Sequence, residues 1–366
     1  MSSQKSVFFL GGTGYIGKGI DVSWHPPGSA VLSKLLQHTN PSQITVLTRS
    51  QEKLERIDQL DSRVKGVKGD LQDLTLLEDL ASQHDIVLNT ADADAAILRG
   101  MAKRKEVTGV PPLLIHTSGT GVLSDEAVGA YKSNKIYSDR AQDPTANPPL
   151  LYVDDVADTA LHRDVDLEII RADERGDLKS YIIFPSTIYG LNRSVVVQRG
   201  VGNDQSIQMP ALMKASIARK RPGTVGKGLN VWPNVHIDDV ADLFELVYNL
   251  ALNGDNGNHG RQGYFFAETG EYSLLSAAQK YGEVMFTLGL TDDSEPTMFS
   301  EEELKEYFGG SSYLGSNSRA RAQKSRDLGW KPFHNPEDFY ASFDEDIQRI
   351  LEKAGSDLKG LRHTNI

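Results

Sequence analysis

The chain has 366 residues, 39% apolar and 24% charged, which suits two domains or one large α/β unit with an appendage, and a core that needs no staples. It has no cysteine, so disulfides, thiolate nucleophiles, iron–sulfur clusters and cysteine-type zinc sites are excluded. With 39 basic and 50 acidic residues the net charge is −11, which argues against nucleic acid; no apolar run reaches the ~18–20 residues of a membrane span or forms a signal core, so the reading is a soluble cytoplasmic protein away from membranes.

The first apolar run, Val7–Leu10, reads as a strand and runs straight into the glycine-rich stretch Gly11–Gly17. Lys18–Gly28 interrupts the pattern with Pro26 and Pro27, which stop a helix. Helical and strand patterns then alternate: Ser29–His38, Ile44–Thr48, Gln51–Leu60, Val64–Lys68, Leu74–Ser82, Asp85–Thr90, Ala95–Lys105 and Leu113–Thr117. The stretch Asp139–Thr159 is rich in Pro and Asp and reads as loop, and Tyr181–Pro185 as a further strand. Beyond residue 190 the alternation fades. Ile237–Leu252 reads as an amphipathic helix with Asp238 or Asp239 near its N-cap, Asn253–Gly263 as a loop, and Leu274–Leu288 and Ser300–Tyr307 as helices, the last with a Ser300/Glu303 capping box. The alternation predicts an α/β, Rossmann-type doubly wound parallel sheet over residues 1–190. Residues 191–366 are expected to form a smaller, mostly helical substrate region interleaved with the end of the sheet.

Gly12, Gly14 and Gly17 fit G-x-G-x-x-G, and Gly11, Gly14 and Gly17 fit G-x-x-G-x-x-G, directly after a strand. Small residues there permit a tight turn, the approach of a pyrophosphate to backbone amides, and close helix–strand packing. Candidate dinucleotide contacts are therefore Gly11, Thr13, Gly14, Tyr15, Ile16 and Gly17. The interruption at Lys18–Gly28 either delays the helix to about Ser29 or bulges out after a short turn; a displaced helix would take its dipole from the phosphates. At the end of the second strand, where an acidic residue would bind the ribose of NAD, stands Arg49, with Lys53 a turn later; this favours NADP, with NAD the alternative. Asp70 is placed for the adenine end, and Thr90 and Ala91 for the cofactor crevice.

GGTGYIG at Gly11–Gly17, GDL at Gly69–Leu71, HTSGTG at His116–Gly121, YKSNK at Tyr131–Lys135, PSTIYG at Pro185–Gly190, VHIDDVADL at Val235–Leu243 and LGW-x-P at Leu328–Pro332 follow one another along most of the chain. Together they resemble the short-chain dehydrogenase/reductase superfamily, in its extended or atypical NAD(P)-dependent epimerase/dehydratase branch, and its fungal-type members most. The resemblance implies a Rossmann fold, a cofactor crevice that also includes Leu71 and Pro185, and chemistry by Ser118, Tyr131 and Lys135. In such a site the tyrosine hydroxyl exchanges a proton with the substrate oxygen, the lysine lowers its pKa and holds the nicotinamide ribose, and the serine orients the substrate. Spacing of four puts Tyr131 and Lys135 on one face of a helix. The span from Tyr131 to Pro185 exceeds the family's, however. If the helix before that strand is instead Leu161–Arg171, then His162 and Asp166 occupy the catalytic places, and His162 becomes a rival acid–base group.

The expected function is an NADP-dependent oxidoreductase acting on a carbonyl or alcohol of a small molecule, as a monomer or homodimer. Two rivals stay open: a nucleotide-sugar epimerase or dehydratase retaining NAD, and a dinucleotide-binding redox regulator without turnover. His236, Asp238 and Asp239 fit a helix start better than a metal site, so no metal is expected. No G-x-S-x-G elbow suggests a hydrolase. Lys103–Lys105 reads as a solvated helix end, and Arg319 and Arg321 as a surface helix or an anion contact. Met209, Met213, Val231 and Trp232 are expected in the substrate pocket.

Overall fold

A computed structural model describes residues 4–12, 27–38, 41–91, 94–141, 150–254 and 257–355. In its first half β1 (Ser6–Leu10), α1 (Gly28–Gln37), β2 (Gln43–Thr48), α2 (Gln51–Ile57), β3 (Val64–Lys68), α3 (Leu74–Gln83), β4 (Ile86–Asn89), α4 (Asp94–Thr108) and β5 (Leu113–Thr117) alternate as the pattern predicts. Then come two short strands, β6 (Tyr137–Ser138) and β7 (Leu151–Tyr152), followed by α5 (Arg163–Glu174), β8 (Lys179–Pro185) and β9 (Thr187–Tyr189). The remainder comprises α6 (Val195–Gln198), α7 (Gln208–Ala218), β10 (Gly223–Thr224), β11 (Val231–His236), α8 (Ile237–Asn253), β12 (Tyr264–Ala267) and β13 (Gly270–Ser273). It closes with α9 (Leu274–Thr287), β14 (Thr297–Met298), α10 (Glu301–Phe308), β15 (Ala320–Arg321), α11 (Gln323–Asp327) and α12 (Pro336–Ala354).

Seven strands form the central sheet in the order β12-β8-β5-β4-β1-β2-β3, every pair parallel. Val7 to Leu10 of β1 are fully buried, as a strand covered by helices on both faces must be. Helix starts are held by side chains that satisfy orphan amides: Ser50 accepts from the Lys53 amide, and Asp73 from that of Leu76. The chain winds one way from β1 to β3 and the other way from β4 to β12. The crevice at the carboxyl ends of β1 and β4 is therefore the place where such sheets bind ligands.

Two differences from the sequence reading bear on the site. The edge strand β12 follows a glycine-rich loop, and its four residues Tyr-Phe-Phe-Ala are too short and too uniformly apolar to show a period. The other difference falls on Tyr131 and Lys135, which lie on no helix. Val128 and Gly129 just before them have φ of +47° and +72°, which breaks any helix there. Asn317 then ties the segment down: its Nδ2 donates to the Tyr131 carbonyl at 3.0 Å, and its Oδ1 accepts from the Ser133 amide at 3.1 Å. The helix that feeds β8 is α5, the alternative that the sequence left open.

A second core, built from α7, α9, α12, β11 and β13, packs Met209, Met213, Trp232, Tyr281, Phe339 and Phe343 together. Within it Asp346 of α12 is 1% exposed and accepts from Gln205 Nε2 at 3.0 Å, while its Oδ2 has no hydrogen bond among the described residues. Burial pushes this carboxyl up to about 6. A folded-state pKa above the unfolded one means that the folded chain holds the proton more tightly. Stability from this group is therefore full below about pH 4 and is lost as pH rises towards 6. Asp346→Asn should raise unfolding free energy by up to about 3 kcal/mol at pH 7.5 and by little at pH 4. Urea melts at the two pH values check this, and an equal gain at both would contradict it.

Candidate active site at the carboxyl edge of the sheet

The crevice begins with a close approach of backbones. Gly11, φ +79°, lies against the end of β4: a Cβ there would meet Thr90 Oγ1 at 2.2 Å and the Thr90 carbonyl at 2.6 Å. Thr90 is fully buried and donates from Oγ1 to the Leu10 carbonyl at 2.7 Å, joining the two strand ends across the switch point. Gly28 opens α1 against Gly11 from the other side; its Cβ would lie 2.1 Å from the Gly11 oxygen. Such a turn admits only hydrogen at these positions, and a bound pyrophosphate needs that geometry. The described part of the loop thus fits a dinucleotide, while Thr13, Gly14, Tyr15, Ile16 and Gly17 lie outside the described residues.

The other cofactor candidates line the same edge. Arg49 follows β2, is exposed, and among the described residues has no carboxylate partner. Asp70 is exposed after β3, and its Oδ1 accepts from the Gln72 amide at 2.9 Å, closing its own turn beside half-buried Leu71. Ala91 is buried after β4, its amide donating to Asn89 Oδ1 at 3.1 Å. Pro185 ends β8 and is buried.

At the end of β5 a buried polar cluster takes over. Ser118 is 3% exposed; its amide donates to the Ile183 carbonyl, and its Oγ donates to Asp166 Oδ2 at 3.3 Å. Asp166, in the first turn of α5, is completely buried. Arg163, one turn earlier and 1% exposed, approaches Asp166 at 4.0 Å, donates to Asp154 at 2.7 Å and to the Tyr264 hydroxyl at 3.3 Å. Asp154 also accepts from Arg261 at 2.9 Å and from Tyr264 at 2.9 Å. Burial would push Arg163 down, but Tyr264, Asp166 and Asp154 together hold it above its ordinary value. Burial would likewise raise Asp154, yet Arg261, Tyr264 and Arg163 hold it below the usual carboxylate range. Beside Ser118, Thr117 Oγ1 and Thr120 Oγ1 are buried without a hydrogen-bond partner among the described residues. Buried hydroxyls at a strand's carboxyl end suit a polar ligand. Thr120 was not singled out from the sequence, although its place in HTSGTG was the available signal.

Tyr131 and Lys135 are not part of this cluster. Tyr131 is 50% exposed, Lys135 is exposed, and both line a surface cavity of about 620 Å³ with Asp125, Lys132, Ile136 and Leu151. His162 and Asp166 take the two positions on the helix that feeds β8. His162 has φ +61° and caps α5 without a side-chain hydrogen bond to it.

Other candidates find structural partners. His236, Asp238 and His334 place ligand-type atoms within 4.8 Å of one another. The two imidazoles stack, however, with centroids 3.5 Å apart, and His236 Nδ1 accepts from the Asp238 amide at 3.2 Å. His236 Nε2 lies where a Cβ on Gly190 would be 2.2 Å away, and His334 Nδ1 meets Asp239 at 3.0 Å. Burial, then His334, pushes His236 down to about 4, so it is neutral at pH 7. The cap of α8 is thus His236 rather than either aspartate; Asp239 instead accepts from the Phe333 and His334 amides. Arg319 and Arg321 lie around β15, not on a helix, and both pair with Glu271 at 2.8 Å.

Solved structures of nucleotide-sugar epimerases and dehydratases share this fold over nearly the whole chain. DesIV, a dTDP-glucose 4,6-dehydratase of Streptomyces venezuelae solved with NAD, superposes with a TM-score of 0.60 at 16% identity, covering 96% of this chain and 99% of that one. A UDP-glucose 4-epimerase of Bifidobacterium longum, in complex with NAD+ and UDP, gives 0.59 at 17% identity over 94% and 98%. Among curated proteins, Oxidase ucsJ of an Acremonium species is 26% identical over 368 residues, 96% of this chain and 99% of its own length. No family model matches the chain. The chain therefore has the doubly wound Rossmann fold that these two enzymes share, as its alternating pattern implies.

The Arg163 cluster yields a stability test. Asp154→Ala leaves Arg163 buried with one carboxylate fewer, and should lower unfolding free energy by about 3 kcal/mol in urea titration. A loss under about 1 kcal/mol would mean that water or Asp166 replaces the lost partner.

Proposed function

We propose that the chain is an NAD(P)-dependent oxidoreductase whose proton chemistry runs through Ser118 and Asp166. The observation that carries this reading is the Ser118 Oγ to Asp166 Oδ2 hydrogen bond, at the same carboxyl edge of the sheet as the glycine turn. The nicotinamide group, when bound, supplies or accepts the hydride. Gly11 and Gly28 let backbone approach the pyrophosphate, and Thr90 holds the two strand ends on which that approach depends. Exposed Arg49 suits a 2′-phosphate, which favours NADP. The substrate class is a carbonyl or alcohol of a small organic molecule. In the oxidising direction the alcohol proton passes to Ser118 Oγ as the serine proton passes to Asp166; in the reducing direction both transfers reverse. A relative named as an oxidase over nearly the full length supports redox chemistry.

Tyr131 and Lys135 receive no role in this proton path, because their segment is not helical and they line a separate cavity. The same observation favours a second reading, a dinucleotide-binding regulator without turnover. The nucleotide-sugar reading rests on fold neighbours alone, and NAD retained through purification would support it.

Fluorescence titration with NADPH and NADH comes first. NADPH should bind more tightly, and Arg49→Ala should remove most of that preference, about tenfold. An unchanged preference in the variant would separate Arg49 from cofactor choice. In a carbonyl-substrate screen, Ser118→Ala and Asp166→Asn should lower kcat by about 100-fold or more while NADPH still binds. Tyr131→Phe should leave kcat within about twofold. Loss of turnover in Tyr131→Phe alone would reinstate the tyrosine. No turnover, with binding intact, is the regulator's result.

A further inference from the structure

The segment Tyr131–Ile136 has no part in the proton path, yet the chain fixes its backbone at one residue after another. Asn317 Nδ2 donates to the Tyr131 carbonyl at 3.0 Å, and Asn317 Oδ1 accepts from the Ser133 amide at 3.1 Å. Arg319 Nη1 donates to the Ser133 carbonyl at 2.8 Å, and the Lys135 amide donates to Ser133 Oγ at 3.2 Å. The Ile136 carbonyl accepts from the Leu151 amide at 2.9 Å. Ser318, between the two anchors, donates from Oγ to the Thr120 carbonyl at 2.6 Å. One strip of chain, Asn317–Arg319, thus binds both this segment and the turn after β5.

With its backbone held in this way, the segment lines a cavity of about 620 Å³, within the size range of small-molecule sites. Tyr131, Lys132 and Lys135 are exposed there, Leu151 is half-buried and Ile136 is buried. Among the described residues neither lysine meets a carboxylate. The carboxylates at hand are already taken. Asp125, which also lines the cavity, accepts from the Ala127 and Asn317 amides at 3.1 and 2.8 Å and from Asn317 Nδ2 at 3.1 Å. Glu271 is shared by Arg319 and Arg321, each 2.8 Å away. Lys132, Lys135, Arg319 and Arg321 therefore outnumber Asp125 and Glu271 around this segment, in a chain whose net charge is −11. Two uncompensated ammonium groups beside an apolar floor suit a doubly charged anion on an apolar body, and lysine binds phosphate as a point charge.

We propose that the cavity lined by Tyr131, Lys132, Lys135, Ile136 and Leu151 is a binding site for a small organic phosphate monoester, separate from the dinucleotide crevice. Lys132 and Lys135 hold the phosphate oxygens, while Ile136, Leu151 and the Tyr131 ring cover the organic part. The anchored backbone sets the two lysines on one short turn before the ligand arrives, which lowers the cost of ordering them. A monoanion leaves half of the charge unmet, and inorganic phosphate leaves the apolar floor bare.

Isothermal titration calorimetry with phenyl phosphate on the full chain tests this. Phenyl phosphate should bind, and inorganic phosphate and benzoate should bind at least about tenfold more weakly. Lys132→Gln combined with Lys135→Gln should weaken phenyl phosphate at least about tenfold, whereas Lys305→Gln, exposed on α10, should leave it within about twofold. These substitutions replace exposed side chains, and an unchanged melting temperature confirms that the fold is kept. Saturation with NADPH should leave the affinity for phenyl phosphate within about twofold. The proposal is overturned if phenyl phosphate does not bind at millimolar concentration, if the double variant binds it as the full chain does, if inorganic phosphate binds equally well, or if NADPH displaces it. Phenyl phosphate is measured without cofactor, so a chain that binds no NADPH sinks the dinucleotide reading and leaves this result standing.

Discussion

At the carboxyl end of β1, three backbones meet at distances that only glycine allows. The Gly11 carbonyl is pressed by Gly28, and Gly11 Cα is pressed by Thr90. Both contacts lie at the point where the sheet reverses its winding. They bring α1, β1 and β4 together, and the crevice takes its shape from their union. A side chain at either glycine would push α1 or β4 outward, and Ser29 and Asn192 would then lose each other. The segment after β9 would separate from the sheet at the same step. One steric constraint thus couples the cofactor edge to the second half of the chain.

The buried ions of α5 depend on that frame. Taking Arg163 and Asp166 out of water is costly, and a pair 4.0 Å apart without a hydrogen bond between them repays little of it. Asp154 and Tyr264 supply the missing hydrogen bonds, and Tyr264 reaches them only because β12 extends the sheet beyond β8. The edge strand therefore serves the site from outside it. Apolar residues would pack there more cheaply, which accords with the chemical task proposed for this edge of the sheet.

The parts of this arrangement that show in the sequence are those with a local cause. Val7–Leu10, Ile44–Thr48 and Leu113–Thr117 read as strands because a sheet covered on both faces favours near-continuous apolar runs. The Ser300/Glu303 capping box reads directly as a helix start, and forms as expected. What escaped has distant causes. Tyr131 and Lys135 have helical spacing, but Val128, Gly129 and Asn317 override it, and Asn317 lies 186 residues beyond Tyr131. Arg319 reads as a surface helix or an anion contact, and neither pattern shows that Glu271 meets it from β13. Leu161–Arg171 stood in the sequence as an alternative helix, yet only the sheet decides which helix feeds β8.

That choice of helix decides the chemistry open to the site. A lysine four residues after a tyrosine lowers the tyrosine's pKa by its charge; a carboxylate in the lysine's place does the reverse. With His162 capping α5 and Asp166 in its first turn, a tyrosinate mechanism has neither its acid nor its cation there. What stands at the end of β5 is a serine whose hydroxyl already donates to a buried carboxylate, with a guanidinium 4.0 Å behind it. Such a carboxylate accepts a proton without a tyrosine between it and the serine. The cation acts on the carboxylate rather than on the substrate oxygen. On the proposed reading, the Rossmann frame carries a proton path that runs through a carboxylate.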